Sequence, residues 1–251
     1  MRIFVINLEH EHERRINMSN QLNAQGLLYE FVSGIDGRKM SISDINLHYN
    51  DRQAVLYRSR SLVRSEIGIA LSHLKVYNTI IQESIELALV LEDDVVLTED
   101  FFDFISVYEK KIFTKDPTLC LLSPSTVGLK IVNGDLKTRL RKYELFQFEK
   151  GVYASSYIIN FEGAKVLSRE LYPVSDVADC WSRIKRYNII AITVAIPSLT
   201  YQNQHIFGSS TTKEISLSGY LSGFQFYKYK IRRIFSVIYQ IFDTFFHKIN
   251  K

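Results

Sequence analysis

The chain has little of what marks an exported, cross-linked or membrane-spanning protein. Only two of its 251 residues are cysteine. Cys120 and Cys180 lie far apart and lack the paired neighbours of a metal site, so a disulfide framework is not expected and a reducing compartment is. No stretch reaches the roughly 20 apolar residues that a membrane span needs. The apolar run from Met1 to Leu8 is too short for a signal peptide and is followed at once by charge, which points to a protein made and kept in the cytosol. Internal repeats and low-complexity linkers are also absent. A chain of this length forms one large domain, or a domain of about 200 residues with an appendage.

Charge is unevenly distributed. The net charge is +4. From Phe224 to Lys251 there are six basic residues (Lys228, Lys230, Arg232, Arg233, Lys248, Lys251) against one acid, Asp243, so this segment carries +5 and the preceding 223 residues −1. Within it Ile231, Ile234, Phe235, Ile238, Ile241, Phe242 and Phe245 recur at steps of three and four, one apolar stripe on a helix. The expected organisation is a near-neutral domain over 1–215 and a basic amphipathic helical tail over 220–251. Such a helix suits the surface of an anionic inner membrane, and packing on the domain or on a partner chain is the alternative. Nucleic acid is not an expected partner, because the rest of the chain is slightly acidic.

The apolar pattern predicts a strand over Arg2–Leu8, a helix toward Leu22, and a second strand over Leu28–Ser33 closed by Gly34 and the Asp36-Gly37 turn. Residues 41–64 have weak periodicity and four arginines, and read as a mobile loop or short helices. Glu66–Glu86 carries Ile67, Ala70, Leu71, Leu74, Tyr77 and Ile81 at helical spacing. Leu87–Leu91 and Leu119–Ser123 are continuous apolar runs, the pattern of strands covered on both faces. Asn133-Gly134-Asp135 reads as a hairpin turn between Leu129–Val132 and Leu136–Leu140. A strand over Val152–Asn160, a helix over Glu162–Leu171 and a strand over Ile189–Ile196 complete an α/β sheet with some antiparallel character.

Leu87–Leu91 runs straight into Glu92-Asp93-Asp94, and Val95-Val96-Leu97 comes directly after. Three consecutive carboxylates inside apolar sequence raise one another's pKa, and desolvation adds to the cost. A divalent cation removes both penalties, since hard cations prefer carboxylate oxygens. The carboxyl ends of strands are also where open α/β sheets bind ligands. Alternation along an extended segment would point Glu92 and Asp94 to one side and Asp93 to the other. One carboxylate of an acid-x-acid pair can then bind an ion while the other bonds a ribose or a metal-bound water. A solvated acidic turn after a strand is the plainer alternative.

Several segments taken in order resemble the family 25 glycosyltransferases of lipopolysaccharide and lipooligosaccharide biosynthesis. Ile3-Phe4-Val5-Ile6-Asn7-Leu8 with Arg14-Arg15 is similar to the family's opening strand and its basic follow-on. Ser33-Gly34-Ile35-Asp36-Gly37, Gly68-Ile69-Ala70-Leu71-Ser72-His73 and Leu91-Glu92-Asp93-Asp94 come next, the last similar to its metal motif. Tyr153–Ile159 with Gly163-Ala164-Lys165, and Pro173 through Trp181, complete the set.

The resemblance implies a GT-A fold, with a Rossmann-like nucleotide-binding mixed sheet flanked by helices. It also implies a UDP-hexose donor, UDP-galactose in many members, and Mn²⁺ or Mg²⁺ as cofactor. The acceptor it implies is a lipid-linked oligosaccharide at the cytoplasmic face of the bacterial inner membrane, with transfer by inversion. Inverting transfer needs a base for the acceptor hydroxyl. Asp179 is the candidate, with Trp181 offering a face for a sugar ring, and Asp176, three residues away and on the same face if the segment is helical, is the fallback.

Asp94 is the leading metal ligand, with Glu92 and His205 completing the set and Gln202 or Gln204 as alternatives to His205. Asn7, Leu8, Arg14, Asp36, Ser72, His73, Glu92 and Asp93 are the donor-binding candidates. Arg14 or Arg15 could equally be a solvated helix charge, His73 a satisfied core histidine, and Asp36 simply part of a turn. Ser209–Thr212 reads as a polar loop able to close over the donor. Two other classes compete: a Mg²⁺-dependent phosphohydrolase or phosphotransferase, in which Glu92 would have to replace the usual nucleophile, and a non-catalytic sugar-nucleotide or membrane-binding protein.

Overall fold

The computed structural model describes residues 1–111, 114–123, 130–140, 143–151 and 155–202. The basic tail, the loop Ser209–Thr212, His205, Gln204 and the expected boundary between 215 and 220 lie outside the described residues. In chain order the elements are β1 (Arg2–Asn7), α1 (His12–Ala24), β2 (Glu30–Ser33), α2 (Ile42–His48), α3 (Asp51–Arg58), α4 (Arg64–Gln82), β3 (Leu87–Glu92), β4 (Val95–Leu97) and α5 (Phe101–Lys111). Then come β5 (Thr118–Leu121), β6 (Lys130–Leu140), β7 (Tyr143–Lys150), β8 (Ser156–Asn160), α6 (Phe161–Glu170), α7 (Trp181–Arg186), β9 (Ala191–Ile196) and β10 (Thr200–Gln202). The chain divides into two compact units. Of the described residues, the larger takes Met1–Gly34, Ser72–Arg169 and 179–202; the second takes Ile35–Leu71 and Glu170–Ala178.

An eight-stranded mixed sheet in the order β2-β1-β3-β8-β5-β9-β7-β6 organises the larger unit. β1 runs parallel to both β2 and β3, and β8 lies antiparallel between β3 and β5. The apolar run that predicts β3 is explained by its two covered faces. Leu87, Leu89 and Leu91 join Ile3 and Val5, Met18 and Leu22 of α1, and Phe101 and Phe104 of α5 in one core. Ala88 and Val90, pointing the other way, are buried as well. Each fully buried leucine contributes about 1.5–3 kcal/mol, so this strand anchors the unit. The result is the helix-flanked mixed α/β architecture expected of a GT-A domain.

A separate two-stranded ribbon pairs β10 with β4 antiparallel, Gln202 opposite Val95. This pairing brings the chain beyond β9 back to the segment just after the acidic cluster.

The predicted hairpin at Asn133-Gly134-Asp135 is not formed. β6 runs unbroken through these residues and pairs antiparallel with β7, with register shifts between Ile131 and Leu136. An irregular ladder absorbs the glycine-containing segment as readily as a turn would, so the local signal alone could not place the reversal.

The second unit holds α2 and α3, in the region whose periodicity was too weak to distinguish a loop from short helices. Their starts are set by capping, since the Ser41 hydroxyl accepts from Asp44 N at 3.1 Å and Asn50 Oδ1 accepts from Gln53 N at 3.1 Å. His48 O and Asn50 N bond the backbone of Val174 on either side, and Arg58 is ion-paired with the buried Asp176. Gly37 and Gly68 pack backbone to backbone. A Cβ on Gly68 would lie 2.4 Å from both Gly37 N and Ile35 O, and one on Gly37 would lie 1.8 Å from Arg64 O. The two glycines allow the loop after β2 to lie directly on the first turns of α4. Among the described residues no helix is long and apolar enough to cross a membrane.

Candidate active site

The parallel pairing of β1, β2 and β3 aligns their carboxyl ends. Ile6 is in register with Glu92, and Asn7 with Ser33. Glu92 is the last residue of β3, Asp93 and Asp94 form the turn, and β4 begins at Val95.

Two residues from the start of the chain close on this turn. Asn7 Nδ2 donates to Asp93 Oδ2 at 2.7 Å and to Glu11 O at 3.2 Å. Arg14, on the first turns of α1, reaches Asp93 Oδ1 at 3.2 Å and Asp94 Oδ2 at 3.7 Å. Arg14 is therefore a buried ion-pair partner rather than a solvated helix charge, whereas Arg15 lays its guanidinium over the Phe31 ring at 3.9 Å.

The expected alternation does not describe the cluster. Asp93 and Asp94 lie in a turn, where strand periodicity no longer holds, and they share one guanidinium. Glu92 faces a different set of groups. His73 Nε2 lies 3.3 Å from Glu92 Oε1, and Gln202 Nε2 donates to Oε2 at 3.4 Å.

The electrostatics reflect this crowding. Burial pushes the Asp93 carboxyl up, against the hydrogen bond from Asn7 and the charge of Arg14. Asp94 is raised further, to about 7, by burial first and by the charge of Glu92 second, with Arg14 opposing. Asp94 Oδ1 and Asn7 Oδ1 are both buried without a hydrogen-bond partner. The Asn7 amide is oriented by the two acceptors on its nitrogen, so its oxygen remains an acceptor with no donor.

An orphaned amide oxygen and an orphaned oxygen of the Asp94 carboxyl, which its surroundings hold partly neutral, fit a cation or the hydroxyl and N–H donors of a ligand. Among the described residues no group of three or more His, Cys, Asp and Glu is arranged to hold a metal ion. His205, the expected third ligand, lies outside them.

His73 is a core histidine whose two ring nitrogens both have partners. It is 2 % exposed, its Nδ1 lies 2.7 Å from the Tyr157 hydroxyl, and the two rings stack at 5.7 Å. Its neighbour Ser72 is equally buried. Leu8 comes directly after β1 and accepts Glu11 N at 2.9 Å through its carbonyl, closing the turn into α1. Asp36, in the second unit, caps the short 3-10 helix Gly37–Lys39 through Arg38 N and pairs with the Arg38 side chain at 2.8 Å.

The segment carrying both acid candidates for the base is not helical. Helix α7 begins only at Trp181, so Asp176 and Asp179 do not share a helical face. Asp176 accepts from Arg58 and from Val177 N, while Asp179 belongs to the larger unit and is partly exposed. Trp181 does not offer a face to a sugar. It is fully buried and sets its ring edge-on to Tyr157 at 5.7 Å.

Tyr77 and Tyr157 were not singled out by sequence. Tyr77 counted only as part of the apolar stripe of α4 and Tyr157 only as a strand residue. The available signal was the four-residue spacing from His73 to Tyr77, which puts both on one helical face.

A family profile described as glycosyltransferase family 25 (LPS biosynthesis protein) matches residues 1–181. A glycosyltransferase 25 family member of Aedes aegypti is 38% identical over 96 residues, 37% of this chain and 16% of that protein. Procollagen galactosyltransferase 2 of Mus musculus is 35% identical over 102 residues, 39% of this chain and 16% of its own length. Procollagen galactosyltransferase 1 of Danio rerio is 23% identical over 174 residues, 66% of this chain and 28% of its own length. The chain thus spans less than a third of the length of these relatives.

Among solved structures, A197 from STIV aligns over 80% of this chain and 83% of that one with a TM-score of 0.44 and 12% identity. A glycosyltransferase involved in glycosylation of the PBCV-1 major capsid covers 67% of this chain and 65% of that one at a TM-score of 0.34 and 8% identity. With the family profile covering its first 181 residues, the chain belongs to glycosyltransferase family 25.

Proposed function

We propose that the chain transfers galactose from UDP-galactose, with inversion, to the outer core of a lipid-linked lipooligosaccharide or lipopolysaccharide acceptor. The observation that carries this reading is the acidic turn at the carboxyl end of β3, where buried Asp94 Oδ1 lacks a partner beside the shared guanidinium of Arg14. Membership of family 25 supports glycosyl transfer, the family's description supports a lipopolysaccharide acceptor, and the galactosyltransferase relatives support the sugar.

In this reading Asn7, Leu8 and Arg14 lie along the uracil and ribose, and Glu92 and Asp93 orient the donor. Asp94, with Glu92 and His205, would hold Mn²⁺ or Mg²⁺, which supplies charge to offset that of the diphosphate. Asp179 takes the proton of the acceptor hydroxyl as its oxygen bonds to the anomeric carbon. The bond from that carbon to the diphosphate oxygen breaks at the same time, and UDP leaves with the electron pair. The basic tail would hold the enzyme on the cytoplasmic face of an anionic inner membrane. Truncation before Phe224 should then release the protein from membranes while preserving transfer to a soluble acceptor.

The test is a thermal-shift panel of UDP-galactose, UDP-glucose and UDP-N-acetylhexosamines with and without Mn²⁺, followed by transfer to a truncated lipooligosaccharide. A metal-dependent rise in Tm that is largest for UDP-galactose is expected. No shift with any UDP-sugar in either condition sinks the reading.

A further inference from the structure

The interior of the larger unit contains a chain of polar groups that ends at the acidic turn. Tyr157 on β8 pairs with Val90 on β3, and Glu92 lies two residues beyond Val90, so alternation places all three side chains on one face of the sheet. His73 and Tyr77, four residues apart on α4, meet that face. The Tyr157 hydroxyl donates to the Tyr77 hydroxyl at 3.0 Å and lies 2.7 Å from His73 Nδ1, whose ring then reaches Glu92 through Nε2. His73, Tyr77 and Tyr157 are each 2 % exposed or less. Polar side chains so deep in a core are costly unless satisfied, and here each one satisfies the next.

We propose that Tyr157, itself oriented by Tyr77, is a positioning residue. It holds the Nδ1–H of His73, aims Nε2 at Glu92, and so fixes the carboxylate that orients the nucleotide-sugar donor. The proton count supports this. Tyr157 has one O–H, which it gives to Tyr77, so the hydrogen shared between Tyr157 and His73 resides on Nδ1, and the bond to the Glu92 carboxylate, which only accepts, places a hydrogen on Nε2 as well. Glu92 is then held at both oxygens, by His73 on one and by Gln202 on the other. Trp181, edge-on to Tyr157, blocks the ring from turning away. A carboxylate restrained at both oxygens is presented to a ligand in one orientation and loses little freedom on binding. The inference rests on the reading that Glu92 faces the donor.

The experiment uses the full chain with ¹⁵N-labelled histidine, the His73 ring signals being assigned by their loss in His73→Asn. In the wild type the His73 ring should show hydrogen on both nitrogens, Nδ1 toward Tyr157 and Nε2 toward Glu92. Tyr157→Phe should alter that pattern and weaken UDP-galactose binding about 3- to 10-fold, the fold-change of one hydrogen bond, with the acceptor KM unchanged. Tyr77→Phe keeps the Tyr157 hydroxyl but frees its hydrogen. That hydrogen should turn to Nδ1 and leave the ring with its hydrogen on Nε2 alone, a change that packing loss alone would not cause.

Unaltered ring signals in folded Tyr157→Phe overturn the proposal. If Tyr157→Phe does not fold, the Tyr77→Phe ring signals decide, and a ring still protonated at Nδ1 overturns it. Failure of the wild type to bind any UDP-sugar would instead sink the functional reading, and the ring signals would still report on the relay.

Discussion

Asn7 and Asp93, 86 residues apart in the chain, are joined by a buried 2.7 Å amide-to-carboxylate hydrogen bond. This contact ties the carboxyl end of the first strand to the turn after the third and fixes the amide so that its oxygen has no internal donor. Asn7→Ala should cost about 1–3 kcal/mol by leaving a buried carboxylate oxygen unmet. Asn7→Asp should cost more at pH 7 than at pH 4, because it sets a second carboxylate against the first. Urea unfolding at the two pH values measures both.

Arg14 is the cation that Asp93 and Asp94 share. Arg14→Ala should lower stability by about 3 kcal/mol or more, since removing one side of a buried pair strands the other. Manganese should recover part of that loss, so the metal-induced rise in Tm is expected to be larger in the variant than in the wild type. A rise of equal size in the two would dissociate the arginine from the ion site.

Asp94 makes stability depend on pH in the direction opposite to an ordinary ion-paired acid. Its folded-state pKa, about 7, lies above its value of 3.8 in an unfolded chain. Between these values the folded protein binds the extra proton, so stability is greatest below about pH 4 from this group and is lost as pH rises through 7. Asp94→Asn should therefore stabilise the metal-free protein at pH 8, by on the order of 1–4 kcal/mol, and change it little at pH 4. Scanning calorimetry across that range reads the difference. A variant equally shifted at both ends would show that the carboxyl is not the titrating group.

Gly68 carries a steric argument that needs no site. A Cβ there would lie 2.4 Å from two backbone atoms of the loop after β2, and backbone cannot move aside as a side-chain tip can. Gly68→Ala should destabilise by about 2 kcal/mol or more despite alanine's better helix propensity, with Gly37→Ala at least as damaging. A neutral or stabilising effect of Gly68→Ala would contradict the close approach.

Asp179→Asn separates binding from chemistry. If Asp179 takes the acceptor proton, the variant should bind UDP-galactose within a few-fold of wild type while turnover falls by about 10²–10⁴-fold. Asp176→Asn serves as a contrast, because Asp176 is held by Arg58 and should reveal itself through stability. Wild-type turnover by Asp179→Asn would remove it from the mechanism.

Much of the site was legible in sequence because its signals are local. Five apolar residues running into three acids identify both a buried strand and the electrostatic cost at its end, and β3 ends at Glu92 as that pattern requires. The ordered motifs identified the family before any contact was known. Where the local signal was ambiguous, tertiary pairing decided. Asn133-Gly134-Asp135 became strand interior. The segment around Asp176 and Asp179 became an irregular connection, and Trp181 became core.

By itself the sequence determined which residues carry the charge, which strand delivers them and to which end of it, since strand and helix periods are properties of neighbouring residues. Only the tertiary structure decided how the three acids divide. Asp93 and Asp94 are joined by Arg14, and Glu92 is held by His73 and Gln202. The physical reason is that these partners come from α1, α4 and β10, between 19 and 110 residues away along the chain for Glu92. Their meeting depends on strand order and register, which no local spacing encodes.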